Sequence, residues 1–446
     1  MNTPICDFVK KYADESRLRL HMPGHKGNSF LGLEGRDITE VEGADVLYSG
    51  DGIIAESQKN ASELFGSKKT LYSTEGSSLC IRAMVGLVQY YAKSERKKPL
   101  ILAARNAHKT FMSAVALLGV NVEWLYPENQ ESLMSCRIRA EYLREYISKM
   151  SEKPTAVYIT SPDYLGGVSD IEKIARVCHE NGILLMVDNA HGAYLRFLPE
   201  DKHPITLGAD ICCDSAHKTL PVLTGGAYLH VGKCAPSIFS DMAEQAMSLF
   251  ASTSPAYLIL QSLDRANLYI CDGYRERLED LAKSVADLKQ TLISRGFCLV
   301  GDEEIKLTVA PKSYGYTGDE IADMLKRENI VSEMSDPDFI VMMFTPEISK
   351  ADIERLTAAF LKIEKREALT TTAPAPCATE RVMPVRDVML SPSAEVSIDD
   401  ASGCVLASAS VACPPAVPIL IAGERIDEGA IECFRYYGIE KIRVIK

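Results

Sequence analysis

The stretch "ADICCDSAHKTLP", residues 209–221, runs from a short apolar segment into a histidine and a lysine, His217 and Lys218. The apolar residues are typical of a strand that is buried on both faces, and the polar residues that follow mark its end. Ligands of open parallel sheets bind just beyond the carboxyl ends of the strands. The stretch therefore predicts that Lys218 lies where an amine can react, and not on the solvated surface where most lysines are found.

Other segments between residues 66 and 235 repeat the same pattern. Short apolar strands are predicted in "PLILAA" (99–104), "TAVYIT" (155–160), "ILLMVD" (183–188) and "GGAYLHV" (225–231). The segment "SDIEKIARVCHENG" (169–182) has apolar residues at helical spacing and ends in a glycine. Strands that alternate with helices predict an α/β fold, with a mostly parallel sheet covered by helices.

Three of the predicted strand ends carry a histidine in the same setting. His108 and His191 each follow Asn-Ala, and His217 follows Ser-Ala. The carboxyl ends of parallel strands meet at one edge of a sheet, so we expect the three imidazoles to gather there. Their equivalent positions favour an active site over three unrelated structural histidines.

The chemistry that these residues suit is that of pyridoxal 5'-phosphate (PLP). This cofactor needs a lysine to form an imine with its aldehyde, an acid beside its pyridine nitrogen, and a site for its phosphate. Lys218 supplies the amine, and Asp188, at the end of "ILLMVD", supplies the acid. The predicted phosphate site is the start of a helix, where backbone N–H groups are free to bind an anion. It comprises Gly76, Ser77 and Ser78, with further donors from Ser215 and His217.

Two other kinds of site are disfavoured. Three histidines and an aspartate at one edge also suit a metal ion, but a metal site leaves Lys218 without a role, and none of these three histidines belongs to a paired spacing such as H-x-x-x-H. A dinucleotide site is disfavoured because the sequence lacks the G-x-G-x-x-G loop.

Composition narrows the class of protein. The 446 residues carry a net charge of -12, which argues against general binding to nucleic acid or to anionic membranes. An apolar run of about 18 residues is absent, so we expect no transmembrane helix. The first residues lack the apolar core of a signal peptide. The 13 cysteines form no C-x-x-C pair and predict free thiols in a reducing cytoplasm.

Changes in pattern along the chain predict four parts. They are an N-terminal arm (1–65), a PLP-binding large domain (66–274), a small α+β domain (275–369) and a C-terminal subdomain (370–446). The segment "ALTTTAPAPCATE" (368–380) is rich in Thr, Ala and Pro and is interpreted as a linker.

Several motifs together resemble those of a known family. They are "HMPGHKG" (21–27), "DITEVEGAD" (37–45), "RNAHKT" (105–110), "VDNAHGAY" (187–194), "SAHKTLPVLTGGAYLH" (215–230), "TSPAYLILQSLDRA" (253–266) and "CPPAVPILIAGERI" (413–426). The sequence resembles the Orn/Lys/Arg decarboxylases of PLP fold type I over almost its whole length. The resemblance implies a PLP-dependent transferase-like large domain with a sheet of the seven-stranded type. Because "HMPGHKG" begins at residue 21, it also implies a short form without the N-terminal wing domain.

The resemblance also implies roles for individual residues. Lys218 would be the Schiff-base lysine, Asp188 would pair with the pyridine nitrogen, and His108 would stack on the cofactor ring, with His191 nearby. Ser252 and Thr253 would reach a phosphate in the neighbouring subunit, so a homodimer or higher homo-oligomer with shared active sites is implied. The implied reaction is α-decarboxylation of lysine, arginine or ornithine to CO₂ and an amine of the polyamine pathway.

Some positions depart from the family's usual residues. Glu75 and Cys80 lie in the phosphate loop, Asn189 stands where an acid is usual, and Ala416 replaces a glycine. Glu75 and Glu333 are the candidates for the acid that binds the distal cation of the substrate. Two alternatives stay open: another PLP reaction, by an aminotransferase or a lyase, and a non-catalytic homologue that binds PLP.

Overall fold

The computed structural model of the chain describes residues 1–127, 132–374, 379–408, 412–413 and 417–445. The helices are α1 (Pro4–Asp14), α2 (Ile53–Phe65), α3 (Gly76–Ser94), α4 (Lys109–Leu118), α5 (Ala140–Lys149), α6 (Ile171–Glu180), α7 (Ala216–Thr219), α8 (Ser237–Ser248), α9 (Tyr257–Cys271), α10 (Tyr274–Arg295), α11 (Gly318–Arg327), α12 (Lys350–Leu361), α13 (Val385–Met389) and α14 (Glu428–Tyr436). The strands are β1 (Lys69–Ser73), β2 (Leu100–Ala104), β3 (Asn121–Leu125), β4 (Ala156–Thr160), β5 (Leu184–Asp188), β6 (Ile211–Asp214), β7 (Ala227–Val231), β8 (Cys298–Val300), β9 (Lys306–Ala310), β10 (Met334–Ser335), β11 (Ile340–Met343), β12 (Ser393–Ser397), β13 (Ala412–Cys413), β14 (Val417–Pro418) and β15 (Lys441–Ile445).

The largest sheet has seven strands, in the order β1-β7-β6-β5-β4-β2-β3. β5 pairs with β6 in parallel, as β2 does with β3. β7 is antiparallel to both β1 and β6. The α/β class with a mostly parallel sheet is therefore confirmed. The predicted strands correspond to β2, β4, β5, β6 and β7, and the helix predicted in 169–182 is α6.

The chain divides into two compact units. The first comprises residues 1–99, 155–157 and 171–277, and the second comprises residues 100–154, 158–170 and 278–446. The four-part division predicted from the sequence stays a prediction.

The core of the first unit is built from its central strands. Every residue of β5, β6 and β7 is buried, which explains why these segments are apolar without alternation. α3 contributes one apolar face, because its residues at helical spacing are all buried. These include Leu79, Ala83, Met84, Leu87 and Val88.

The second unit contains an antiparallel sheet of order β10-β11-β9-β8. The segments "IKLTVAP" and "FIVMMFTP" form β9 and β11. In the C-terminal part, β12 pairs with β15, and the apolar side chains of Ile419, Leu420, Ile426 and Phe434 enter a shared core. Residues 414–416, which include Ala416, and residues 375–378 of the predicted linker lie outside the described part of the chain.

A buried ion pair joins the C-terminal segment to the start of the "RNAHKT" motif within this second unit. Arg105 Nη2 lies 3.8 Å from Glu424 Oε2, and the exposed fractions of the two side chains are 6% and 4%. The Arg105 guanidinium also donates to the carbonyl oxygens of Pro418 (2.8 Å) and Ile419 (2.7 Å). Glu424 and the carbonyl groups of Pro418 and Ile419, all in the C-terminal motif, are therefore structural partners of Arg105.

Among the helices of the described ranges, none combines the length and the apolar character that crossing a bilayer requires.

Candidate active site

The predicted phosphate site lies in the first unit, at the start of α3. Gly76 has φ +71° and donates its N–H to the carbonyl oxygen of Gly225 at 2.7 Å. Gly225 has φ +99°, and a Cβ atom there would lie 2.9 Å from the carbonyl oxygen of Thr74. Two glycines thus allow the backbone to bring the first turn of α3 against the 225–226 turn.

Hydroxyl groups meet at this helix start. Ser215 donates a hydrogen bond to Ser77 Oγ at 2.9 Å, and Ser78 follows in the same turn. α3 has 19 residues, so its first N–H groups carry the partial positive charge of a full-length helix dipole. The structure therefore brings Ser77 and Ser215 together, with donors that suit an anion, and their role in phosphate binding stays a prediction.

Lys218 lies in the short helix α7, directly after the end of β6. Its Nζ is 2.8 Å from Nε2 of His191, which is buried. His217 of the same turn donates its backbone N–H to the Gly226 carbonyl oxygen at 3.1 Å. The loops after β5 and β6 therefore bring together the lysine and one of the three predicted histidines.

Asp188 is the last residue of β5 and is 2% exposed. One carboxylate oxygen, Oδ1, accepts the backbone N–H of Ala190 at 3.2 Å. The Cys213 thiol lies 3.7 Å from the same oxygen. Burial also raises the pKa of this thiol well above its usual value, so Cys213 faces Asp188 as a neutral group.

Glu75 contacts a predicted phosphate-binding stretch of its own chain. Its Oε1 accepts the backbone N–H of Ser252 at 2.7 Å. Glu75, Ser252 and Thr253 are exposed. The acid that departs from the family pattern therefore joins the phosphate loop to the 252–255 segment.

Two predicted residues belong to the second unit. His108 follows β2 and is the N-cap of α4, where its Nδ1 accepts the backbone N–H of Thr110 at 3.2 Å. Glu333 is exposed and accepts a hydrogen bond from the Tyr164 hydroxyl at 2.9 Å. Burial and this carboxylate raise the pKa of Tyr164. The stacking role of His108 and the substrate role of Glu333 stay predictions.

The sequence analysis missed a buried polar group beside this site. His203, Asp214 and His230 are fully buried, and within the described ranges theirs is the one group of three or more such side chains close enough to share a metal ion. The sequence does point to Asp214, because it is a second acid at the end of an apolar strand, four residues before Lys218. Its partners His203 and His230 lie in separate segments that a single sequence does not connect.

The donor set of the first unit fits PLP. A phosphate accepts hydrogen bonds, and the Ser77, Ser78 and Ser215 hydroxyls and the N-terminal turn of α3 can donate them. A pyridine N–H needs an acceptor, and the buried carboxylate of Asp188 offers one. An aldehyde needs a primary amine, which Lys218 carries next to a base, His191.

Comparison with known proteins identifies the family of the chain. The profile described as "Orn/Lys/Arg decarboxylase, major domain" matches residues 3–310, well over half of the chain. The chain belongs to this family. An arginine decarboxylase of Bacillus subtilis (strain 168) is 29% identical over 461 residues, which span 96% of this chain and 91% of the relative.

Two further comparisons extend over most of the length. An arginine decarboxylase of Halalkalibacterium halodurans is 27% identical over 467 residues, or 97% of this chain and 93% of the relative. The crystal structure of a lysine decarboxylase from Francisella novicida has a TM-score of 0.81 at 17% identity, covering 100% of this chain and 81% of that one. At this identity the structural match establishes the fold, which is that of PLP fold type I.

Proposed function

We propose that this protein is a PLP-dependent decarboxylase that removes the α-carboxylate of a basic amino acid and uses Lys218 as its catalytic amine. The family match over residues 3–310 supports the reaction. The observation that carries the site assignment is the 2.8 Å contact between Lys218 Nζ and His191 Nε2. A lysine beside a buried imidazole has a partner with which it can exchange a proton.

Each side chain of the site has a task that follows from its chemistry. The hydroxyls of Ser77, Ser78 and Ser215 would donate hydrogen bonds to the phosphate and hold the cofactor in position. The Asp188 carboxylate would accept the pyridine N–H, and its burial would make this pairing strong. Bound PLP supplies an electron sink for the charge that CO₂ leaves behind.

Lys218 and His191 are the groups that we assign to proton transfer. After the loss of CO₂, Cα would need one proton before the amine could be released. The ammonium form of Lys218 would donate that proton from Nζ, and the imidazolium form of His191 would return one from Nε2, because the two atoms are within hydrogen-bond distance. The proton that the overall reaction consumes would reach His191 from solvent.

Arginine is the first substrate to test. The arginine decarboxylases of Bacillus subtilis and Halalkalibacterium halodurans each align with more than nine-tenths of this chain, whereas the lysine decarboxylase comparison concerns the fold. An agmatine-type product would feed polyamine synthesis. Glu75 and Glu333 are our candidates for binding the distal cation, and each already accepts one hydrogen bond, from Ser252 and Tyr164 respectively.

The deciding experiment is a panel of arginine, lysine and ornithine that measures CO₂ and amine together in the presence of PLP. We expect stoichiometric release of both products from one or more of these amino acids. Keto acid without CO₂ would indicate an aminotransferase, and PLP binding without turnover would indicate a non-catalytic homologue.

Single-residue variants test whether Lys218 and Asp188 carry out the reaction. Lys218→Ala should lower kcat by at least about 10³-fold, because the covalent and proton-transfer steps lose their amine. Asp188→Asn should slow turnover by orders of magnitude. Lys233→Ala, which removes an exposed lysine of the same unit, should match the wild type. Borohydride should attach the cofactor to Lys218, and attachment elsewhere would contradict the assignment.

We also propose that the active protein is a homodimer or a larger homo-oligomer. The N-terminal arm exposes Leu18 (83%), Leu20 (82%), Phe30 (78%) and Leu31 (88%). Soluble monomers rarely expose so many large apolar side chains in one short segment, so a second copy of the chain is a suitable partner for the arm. Sedimentation velocity of the holoenzyme tests this, and a monomer at assay concentration would contradict it.

The compartment we propose is the cytoplasm. The cysteines within the described ranges are free thiols, including the exposed Cys234, Cys271 and Cys298. Free exposed thiols persist where glutathione and thioredoxin keep them reduced.

A further inference from the structure

The feature that the proposed function leaves unused is the buried carboxylate of Asp214. Its Oδ2 lies 2.9 Å from His203 Nε2 and 3.2 Å from His230 Nε2. Its Oδ1 accepts a hydrogen bond from Asn189 Nδ2 at 2.7 Å. All four side chains are fully buried, so three donors converge on one anion in the absence of bulk water.

The second nitrogen of each imidazole fixes where its proton lies. His203 Nδ1 faces the backbone N–H of Ile205 at 3.4 Å and must accept there, so Nε2 carries the hydrogen. His230 Nδ1 lies 2.8 Å from the Thr70 hydroxyl, which can donate to it while accepting from Ser67. Both rings then donate from Nε2 to Asp214.

The charges agree with this assignment. Burial by itself would raise the pKa of Asp214, but the two imidazoles and their hydrogen bonds outweigh it and hold that pKa well below its usual value. Burial lowers the pKa of His230 despite the nearby carboxylate. Asp214 is therefore ionised, and His230 is neutral. Because hydrogen bonds already occupy the atoms that would ligate a metal, we assign a hydrogen-bonded network and not a metal site.

The network reaches the active site through Asn189, the residue after Asp188. The Asn189 backbone N–H donates to the Cys213 carbonyl oxygen at 3.0 Å, and the Asn189 carbonyl oxygen accepts from Gly192 N–H at 2.8 Å. The Asn189 side chain also packs against Gly192, where a Cβ atom would lie 2.1 Å from Oδ1. Residues 188–192 thus form a turn that Asn189 fixes from inside, and His191 extends from this turn to Lys218.

We propose that Asp214 is a positioning residue of the decarboxylase site. It connects the two loops that carry the reacting groups, because it directly precedes Ser215 to Lys218 and holds the 188–192 turn through Asn189. Its carboxylate orients the turn so that Asp188 and His191 face the cofactor and Lys218. Asp214 acts through Asn189 and does not touch the substrate; this role rests on the proposed function.

The need for a carboxylate follows from the count of donors. Two imidazole N–H groups and one amide N–H₂ group point at its two oxygens, and each requires an acceptor. Asp214→Asn replaces one carboxylate oxygen by an N–H₂ group. This N–H₂ group would then face an N–H group of Asn189, His203 or His230, and neither group could accept. Exchanging the partners, in Asp214→Asn combined with Asn189→Asp, restores complementarity. The amide oxygen introduced at position 214 would accept from the imidazoles, while its N–H₂ group would donate to the new carboxylate at position 189.

The test compares these variants with a control substitution at Asp210, which directly precedes β6, the strand that Asp214 ends. Asp210 is also a buried aspartate that accepts a backbone N–H, from Leu185 at 2.7 Å, and contacts a histidine, His179, at 3.0 Å. Asp210→Asn therefore removes the carboxylate of a buried aspartate that contacts a histidine, without altering the 188–192 turn.

We expect Asp214→Asn to lower kcat about 10- to 100-fold with little change in KM, since misplaced catalytic groups affect the chemical step. The midpoint at which the visible band of the PLP-loaded protein titrates with pH should shift. Amide hydrogen exchange in residues 188–192 should become faster with or without PLP. The exchanged pair should recover most of the lost kcat and the wild-type exchange rate, whereas Asp210→Asn should leave all three unchanged.

Asn189→Ala covers the case in which Asp214→Asn does not fold, because it breaks the connection and leaves both His–Asp contacts in place. It should reproduce the faster exchange and the lower kcat. Wild-type kcat, band titration and exchange in Asn189→Ala would overturn the proposal, as would equal losses in Asp214→Asn and Asp210→Asn. If the wild type fails on every amino acid, the exchange measurement still decides the role of Asp214 separately from the reaction.

Discussion

Removing the carboxylate of Glu424, in the C-terminal motif, should lower the stability of the second unit strongly. Glu424→Ala would leave the Arg105 guanidinium buried without its anion. It would also remove the acceptor of the Ile421 backbone N–H at 2.8 Å and of the Tyr126 hydroxyl at 3.3 Å.

The expected loss in the free energy of unfolding follows from the contacts that Arg105 keeps in Glu424→Ala. Breaking a buried ion pair by removing one partner costs about 3–5 kcal/mol. Arg105 keeps its hydrogen bonds to the carbonyl oxygens of Pro418 and Ile419, so we expect the lower value, about 3 kcal/mol. Glu424→Gln keeps an acceptor for Ile421 and should cost about 1–2 kcal/mol.

The chain offers its own reporter for this measurement. Its single tryptophan, Trp124, lies in β3 of the same unit and is 8% exposed, so unfolding of this unit should change its fluorescence. With a urea slope of about 3 kcal/mol per molar, Glu424→Ala should lower the unfolding midpoint by about 1 M.

Glu380→Ala is the matched control. Glu380 pairs with Arg425 at 2.8 Å, but the exposed fractions of the two side chains are 68% and 43%. Exposed pairs contribute little, so the midpoint should shift by less than about 0.2 M. If Glu424→Ala shifts the midpoint no more than Glu380→Ala does, the buried pair does not anchor the C-terminal segment.

Two further predictions concern the first unit. Gly225→Ala should weaken PLP binding at least about tenfold, because the new Cβ atom would press on the Thr74 carbonyl oxygen and move the Gly76 turn. Gly182→Ala is the control, since Gly182 also has a positive φ but has open space around it. Equal PLP affinity in the two variants, measured by fluorescence titration, would contradict the reasoning. The thermal midpoint should fall as the pH drops below about 6.5, because unfolded His230 then binds a proton that the folded ring, with its lowered pKa, does not. It should fall further near pH 4, where unfolded Asp214 is protonated and the folded carboxylate is not, and a midpoint that rises on acidification would refute both assignments.

Local patterns were enough to predict much of this fold. Apolar runs such as "ILLMVD" identify strands that are buried on both faces, and the polar residues after them identify the edge where the site forms. Lys218, His191, Ser77 and Ser215 could be predicted as neighbours because each follows a strand end or begins a helix. The contacts of Glu75 with Ser252 and of Asp214 with His203 and His230 could not, because they join segments far apart in the chain whose register only the folded backbone sets.

The Asn189–Asp214 contact has an evolutionary consequence. The family pattern that the sequence resembles has an acid where this chain has Asn189, and an acid there would place two carboxylates at the 2.7 Å distance that now separates an amide from a carboxylate. Such a pair must share a proton or lose one charge. Relatives with an acid at position 189 should therefore carry a neutral hydrogen-bond donor at position 214, so that the two sites change together and neither substitution is tolerated alone.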